Sequence, residues 1–420
     1  MNEYGCFVVS KCVEIYDVIV AGGGPAGLFC AALASGAGKR VLLIEKNNTC
    51  GKKLLITGLS QCNLTQDGEI KSFFTHYGDN GKFMRPSLLN FTNMALISFF
   101  NEHGLDTVVE KGNKIFPASK KASDVLEILL TECKKNGAEI HCGDGISKIS
   151  QKNGIFLVNT SESSYSSKNL VIATGGITYP QTGSTGDGYK IAEGFGHKIS
   201  ETGPALSSVS VSGYNFTDLS GISFQNAKIS LFRDNKKLRD NSGDILLTHT
   251  GLSGPGILHM SRFIKPGDNL KISFIPFMAT DAFRKDFSEK TAAGKTKAVK
   301  AVLSEYNLPG RFVKKILELS DIESDLKCAH LSKDKRNNII KNICEHNFVV
   351  NSLCGLNEAM VTRGGVSLSE INPKTMESRI IPGLYFTGEV LDIDGDTGGY
   401  NLQAAFSTAF AAAKNIISEP

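Results

Sequence analysis

The residues best placed to do chemistry come six in a row, Gly22-Gly23-Gly24-Pro25-Ala26-Gly27, with Glu45 following at a distance. This G-x-G-x-x-G spacing suits a pyrophosphate. Gly22 permits a tight turn, Gly24 lets backbone amides approach a diphosphate, and Gly27 lets a helix pack closely on a strand. A helix starting there offers free N–H groups and the positive end of its dipole. Glu45, twenty-one residues after Gly24, can accept hydrogen bonds from an adenosine ribose and would repel a 2′-phosphate. The turn therefore reads as a dinucleotide site that disfavours NADP.

A second set of residues, near the other end of the chain, separates FAD from NAD. Thr387-Gly388-Glu389-Val390-Leu391-Asp392 places acidic residues after a strand. Gly398-Gly399-Tyr400-Asn401-Leu402-Gln403 is a glycine turn opening an alanine-rich helix. A ribityl chain and a flavin edge need such a pair. The helix start can stabilise the negative charge that develops at N1 and the C2 carbonyl of a reduced flavin, and a nicotinamide makes no such demand.

The elements that must position these residues are legible on either side of them. Tyr16 to Ala21 is a β-branched strand, a helix with a small-residue face begins at Pro25, and Lys39 to Glu45 is a second strand, completing a βαβ unit. Leu170 to Thr174 and Gly383 to Gly388 read as further strand-and-turn segments, and Leu402 to Ile417 as a helix. Between the two ends the pattern changes. Residues from about 200 to 275 alternate apolar and polar, as antiparallel strands do, and those from about 280 to 345 turn helical and lysine-rich. A charged helical face of that kind is ordinarily solvated, with docking as the alternative.

Composition narrows the class. The chain has 420 residues, 41% hydrophobic and 21% charged, with 43 glycines, which suits a multidomain α/β enzyme. Its longest apolar runs stop short of a membrane span, and Met1 to Ile15 reads as an N-terminal extension, not a signal peptide. Ten cysteines without a C-x-x-C pair suit reduced thiols in a cytoplasm. A net charge of +4 spread along the chain argues against a nucleic-acid partner. His76, His103, His141, His197, His330 and His346 form no ligand spacing, so no metal is expected.

Longer motifs carry a resemblance. GGGPAGL at 22–28, GKKLLITG at 51–58, CNLT at 62–65, ATGGITYPQTGSTGDGY at 173–189, LLTHTGLSGPGIL at 246–258, VTRGGV at 361–366 and LYFTGEVLDIDGDTGGYNLQAAFSTA at 384–409 occur in order. In these the chain resembles the BaiN-like (YhiN-like) family of NAD(P)/FAD-dependent oxidoreductases, also labelled aminoacetone oxidase-like flavoproteins. The resemblance implies an α/β fold: a Rossmann-like FAD-binding domain of the two-dinucleotide-binding-domain type, with an inserted β-barrel-like domain and a small helical subdomain. The corresponding boundaries are 16–198 with 354–420 for the FAD domain, 199–278 with 346–353 for the β-rich insert, and 279–345 for the helical part.

The resemblance also implies site residues. It puts the pyrophosphate at Gly22, Gly24, Pro25, Ala26 and Gly27, and the ribose at Glu45. Lys53, Thr57, Cys62 and Asn63 fall near the flavin, Glu389 and Asp392 near the ribityl-pyrophosphate side, and Gly399, Tyr400, Asn401 and Leu402 at the isoalloxazine edge. Lys46, Ile146, Thr174, Gly175 and Gly388 complete the expected contacts. One departure stands out, because the family loop T-G-x-G-R-C-N here reads Thr57-Gly58-Leu59-Ser60-Gln61-Cys62-Asn63. Gln61 can hydrogen-bond a substrate but cannot pair with its charge.

Candidates for the catalytic acid, base or thiol are Gln61, Cys62, Tyr179 and His249. Cys62 follows Cys50 with eleven residues between them, unlike the C-x-x-x-x-C of disulfide reductases, so a packing or flavin-contact role is the leading reading for it. His249, beside the Gly251-to-Gly256 turn, is either a base or an ordinary turn histidine. Tyr179 either stacks on the flavin ring or fills a hinge. The expected reaction is hydride transfer through flavin N5 from NAD(P)H, a transient visitor without a second fingerprint, to an unsaturated or carbonyl-containing small molecule. Oxidation of a small amine by oxygen, and a non-catalytic flavin-binding sensor or docking module, are the alternatives. Substrate choice is expected to reside in the insert.

Overall fold

In a computed structural model, which describes residues 15–418, the first β-branched run forms β1 (Ile15–Ala21). All but the last residue of the expected N-terminal extension, Met1 to Ile15, lie outside the described residues. Val18, Ile19 and Val20 of β1 are fully buried, as a parallel strand covered on both faces requires. The chain turns at Gly22 into α1 (Pro25–Gly36) and returns as β2 (Val41–Glu45), parallel to β1 with Val18 opposite Val41.

A seven-stranded sheet grows around this unit. β3 (Glu139–Cys142) flanks β2; beyond it in the chain come β4 (Ile146–Lys152), β5 (Ile155–Thr160), β6 (Ser164–Ile172) and, much later, β7 (Leu384–Phe386). Their order in space is β3-β2-β1-β6-β5-β4. The first part of β6 pairs with β5, and its last three residues, Leu170 to Ile172, pair with β7. The C-terminal segment thus enters the same sheet as the N-terminal one. The last helix, α2 (Tyr400–Ser418), packs on α1 through the rings of Phe29 and Phe406, 5.2 Å apart. Alanines at 31, 34, 409 and 412, all buried, keep both helices slim.

The described chain divides into two compact units, one running to Gly203 and resuming at Val361, the other spanning Pro204–Met360. The second contains a closed six-stranded antiparallel barrel, ordered Val209–Val211, Gly251–Ser253, Lys236–Leu247, Ser223–Arg233, Asn269–Ser273 and His346–Leu353. Val209 opposite Leu353 closes the ring. Alternation places Ile229, Leu231, Ile245, Leu270 and Ile272 inside, and the helices between Thr280 and Cys344 add Phe283, Phe287, Phe312, Ile316 and Ile340 to the same core. No helix among the described residues is long and apolar enough to cross a membrane.

Candidate functional site

The turn after β1 is shaped by contacts only glycine allows. Gly22 sits at φ +107°, and a side chain on Gly27 would lie 1.9 Å from the Gly22 carbonyl oxygen. Gly24 differs, because a Cβ there would meet nothing within 4 Å. No side chain caps α1 and its first turn holds no acid, so its amides face open space with the dipole behind them. Glu45, nearly buried, accepts from Gly23 N–H (2.8 Å) through Oε2 and from Asn47 through Oε1 (2.8 and 2.7 Å). Its remaining lone pairs are what a ribose could use. Thr174, just beyond β6, has its Cα beside Gly22, and its buried hydroxyl, without a hydrogen-bond partner, lies against Gly188.

The C-terminal segment meets this turn directly. A Cβ on Gly388 would lie 3.1 Å from Ala26 Cβ, and Gly388 N–H donates to Thr408 on α2 (2.9 Å). Farther along, Gly399 at φ +93° presses on the Thr65 backbone so tightly that a Cβ would come within 2.6 Å. Asn63 fastens the two segments by accepting from Gly399 N–H (3.1 Å) and donating to Thr65 and Ile115 carbonyls. Asn401 accepts from Gly395 N–H (2.7 Å), so the 395–401 loop is tied to the start of α2, whose first turn carries no charge. Gly388 thus lies between the start of α1 and the body of α2, and the two helix starts, one uncapped and one free of charge, offer the groups that FAD needs at its pyrophosphate and at its flavin edge.

Lys53 and Glu389, 336 positions apart, form one ion pair at 2.7 Å, and Thr178 and Thr362 complete it. Lys53 donates to Thr178 Oγ1 (2.9 Å), Thr178 Oγ1 donates to Glu389 (3.1 Å), and Thr362 N–H donates to Glu389 (2.9 Å). Both residues therefore brace the walls of the site. Lys46 pairs with Asp187 and Thr185, and Asp392 offers its carbonyl to Asn80 (2.7 Å). Ile146 opens β4 on the sheet edge, and Gly175 turns the chain at φ +73°.

The loop that departs from the family pattern is strained. Leu59, Ser60 and Cys62 all have φ between 56° and 68°, and Leu59 is 91% exposed. Such backbone costs about 1–3 kcal/mol per residue. Gln61 is half-buried there, and Thr57 donates to the Leu54 carbonyl (2.6 Å). The Cys62 thiol is wholly buried and burial pushes its pKa up to about 12, which makes a thiolate role unfavourable. Tyr179, half-buried, begins the Pro180–Thr182 turn, and His249 lies exposed between two barrel strands in the second unit.

Two groupings were not legible from spacing. His76 Nδ1 lies 3.0 Å from Asp396 Oδ2, and its ring stacks on Tyr400 at 4.1 Å and 13°. Burial pushes the Tyr400 hydroxyl up to about 12, keeping it un-ionised. Only the acid-rich stretch before α2 hinted at a partner for a histidine. The other grouping is Cys50 with Cys142, whose sulfurs are 3.7 Å apart; Cys50 had drawn attention only in connection with Cys62. Among the described residues, no group of three or more His, Cys, Asp or Glu is placed to hold a metal ion.

The family model described as HI0933-like protein Rossmann domain matches residues 16–415. A "Ribosomal RNA dihydrouridine synthase" of Escherichia coli (strain K12) is 31% identical, over 97% of this chain and 99% of that one. A "3-dehydro-bile acid delta(4,6)-reductase" of Clostridium scindens is 29% identical, over 96% and 99%. Among solved structures, the 3-ketosteroid delta1-dehydrogenase from Sterolibacterium denitrificans shares the fold at 12% identity, with a TM-score of 0.51, covering 96% of this chain and 99% of that one.

Proposed function

We propose that this chain, which belongs to the HI0933-like protein Rossmann domain family and is an FAD-dependent oxidoreductase, reduces a carbon–carbon double bond conjugated with a carbonyl group, with NAD(P)H as electron source. The observation that carries the reading is that the two ends of the chain bring two helices together, α1 and α2, whose starts hold no opposing charge, with Gly388 packed against Ala26. The kind of acceptor is supported by the names of two relatives. Dihydrouridine is uridine with hydrogen added across a bond conjugated to a ring carbonyl, and a delta(4,6) compound oxidised at position 3 is likewise a conjugated ketone.

When bound, FAD supplies hydride from N5 of its reduced ring. The chain's own residues do the rest. The N–H groups of Gly24, Ala26 and Gly27 would hold the diphosphate, Glu45 the ribose, and the start of α2 would stabilise negative charge at the flavin edge. Lys53, Glu389, Thr178 and Thr362 fix the walls. The acceptor also needs a proton at the carbon next to its carbonyl, and His76 is assigned as the donor. Asp396 orients its Nδ1, Tyr400 stacks on its ring, and Nε2 is left to hold the proton.

The substrate is either a small conjugated ketone or a uracil base within RNA. The sequence-based expectation of no nucleic-acid partner meets a relative named for ribosomal RNA. The net charge is not spread evenly as expected: the residues from 279 to 345 bear 14 Lys and Arg against 10 Asp and Glu, the whole of the chain's +4, which supports RNA as the second reading. The purified holoprotein is to be incubated with NADH or NADPH and, separately, a steroid dienone and undermodified ribosomal RNA. Gain of two hydrogens by either acceptor, read by mass spectrometry, is expected. Oxygen-dependent turnover of an amine with neither acceptor reduced would overturn the proposal.

A further inference from the structure

Cys50 and Cys142 come from opposite sides of the dinucleotide turn. Cys142 ends β3 and stands opposite Glu45 in the β2–β3 register, exposed to solvent. Cys50 is buried, and its sulfur would lie 2.5 Å from a Cβ placed on Gly23. The next residue, Gly51, donates its N–H to the Gly23 carbonyl (2.9 Å), while Gly23 N–H donates to Glu45 (2.8 Å). Gly143, after Cys142, donates to the carbonyls of Glu45 and Asn47, both at 2.9 Å. Gly23 and Glu45 are thus held from both sides by the neighbours of two free thiols 3.7 Å apart.

We infer that Cys50 and Cys142 form an oxidative modification site, taking a peroxide and closing to a disulfide that loosens the grip on the adenosine end of FAD. The steps balance. The exposed Cys142 thiol attacks a peroxide oxygen, giving a sulfenic acid and releasing water from hydrogen peroxide. Cys50 sulfur then attacks the sulfenic sulfur, and its proton leaves with the hydroxyl as a second water, so two thiols are oxidised and one peroxide is reduced. Burial pushes the Cys50 thiol far up, which leaves the first attack to its exposed neighbour, while the 3.7 Å between the sulfurs places Cys50 to resolve the sulfenic acid. Closing the pair to an S–S bond of about 2.05 Å draws the Cys50 sulfur off Gly23 and strains the Gly51-to-Gly23 bond. Among the described residues Cys62 is also buried and free, but it is the Cys50–Cys142 distance that permits the bond.

The coupling to FAD rests on the reading that places the diphosphate and ribose at Gly22 to Glu45, whereas the bond itself does not. The full-length protein, stripped of FAD, is to be treated with hydrogen peroxide, alkylated, digested and mapped, and FAD affinity is to be titrated before and after. A Cys50–Cys142 peptide, FAD binding weakened about tenfold and recovery with dithiothreitol are expected. The Cys142→Ser variant should bind FAD as the reduced protein does and lose the response to peroxide. A sulfinic acid at Cys142 without a cross-link, or a cross-link from Cys50 to Cys62, would overturn the site. A Cys50–Cys142 bond with unchanged FAD affinity would overturn the coupling while leaving the catalytic reading intact.

Discussion

At the scale of single residues, Gly24 and Gly27 make opposite demands although both belong to one fingerprint. Gly24 has ordinary extended backbone at φ −80°, and a methyl group there touches nothing. Gly24→Ala is expected to keep the melting temperature of the apoprotein while weakening FAD by at least about tenfold, since the methyl enters the space reserved for phosphate. Gly27→Ala instead drives a carbon into the Gly22 carbonyl and should lower stability by about 1–3 kcal/mol, read by chemical denaturation. His76→Asn tests the proton. Reduction of the flavin by NAD(P)H should keep its rate, and reoxidation by the acceptor should slow by about a hundredfold, read by stopped flow. Glycine roles were legible because backbone sterics act within the motif. The His76–Asp396 pair was not, since its members are 320 positions apart and neither spacing nor composition links them.

At the scale of elements, strand order decides which residues become neighbours. β1, α1 and β2 follow from a short buried run, a glycine turn and small helix residues, all local signals. β3 lies beside β2 through pairing alone, and that adjacency brings Cys142 to Cys50. Likewise β7 pairs with the end of β6, which delivers Glu389 to Lys53. Glu389→Ala leaves the part-buried Lys53 amine without its carboxylate, with Thr178 Oγ1 still accepting from it, and the Thr362 N–H without an acceptor. A loss of about 1–3 kcal/mol is expected by denaturation, with Glu389→Gln recovering part of it. Alternation between about 200 and 275 pointed to antiparallel strands, and the resemblance to a barrel. The closing pair, Val209 with Leu353, joins segments that no window of sequence compares.

At the scale of the whole molecule, the two ends of the chain build one unit and the segment between them builds another with its own core and its own response to pH. His346, packed against Phe216 and Phe348 at 4.9 and 4.6 Å, has its pKa lowered to about 4, first by burial and then by Lys341. The unfolded imidazole titrates near 6.5. The folded state therefore favours the neutral ring, and its stabilisation is complete above about pH 6.5 and lost as pH falls towards 4, by up to about 3 kcal/mol. Between about pH 6.5 and 4 the melting temperature of the wild type should fall more steeply than that of His346→Leu; parallel falls would contradict the role of the histidine. The identity of the cofactor, resting on glycines and an acidic residue at both ends, was readable from sequence; the acceptor was not, because it depends on groups that only the fold assembles. The most direct measurement is the anaerobic half-reaction, in which the FAD of the holoprotein is first bleached with NADPH or NADH and then mixed with a conjugated ketone or with ribosomal RNA. Return of the oxidised flavin spectrum on mixing, with the acceptor gaining two hydrogens, is expected. A flavin that stays bleached until oxygen is admitted would contradict the assignment as a reductase of conjugated double bonds.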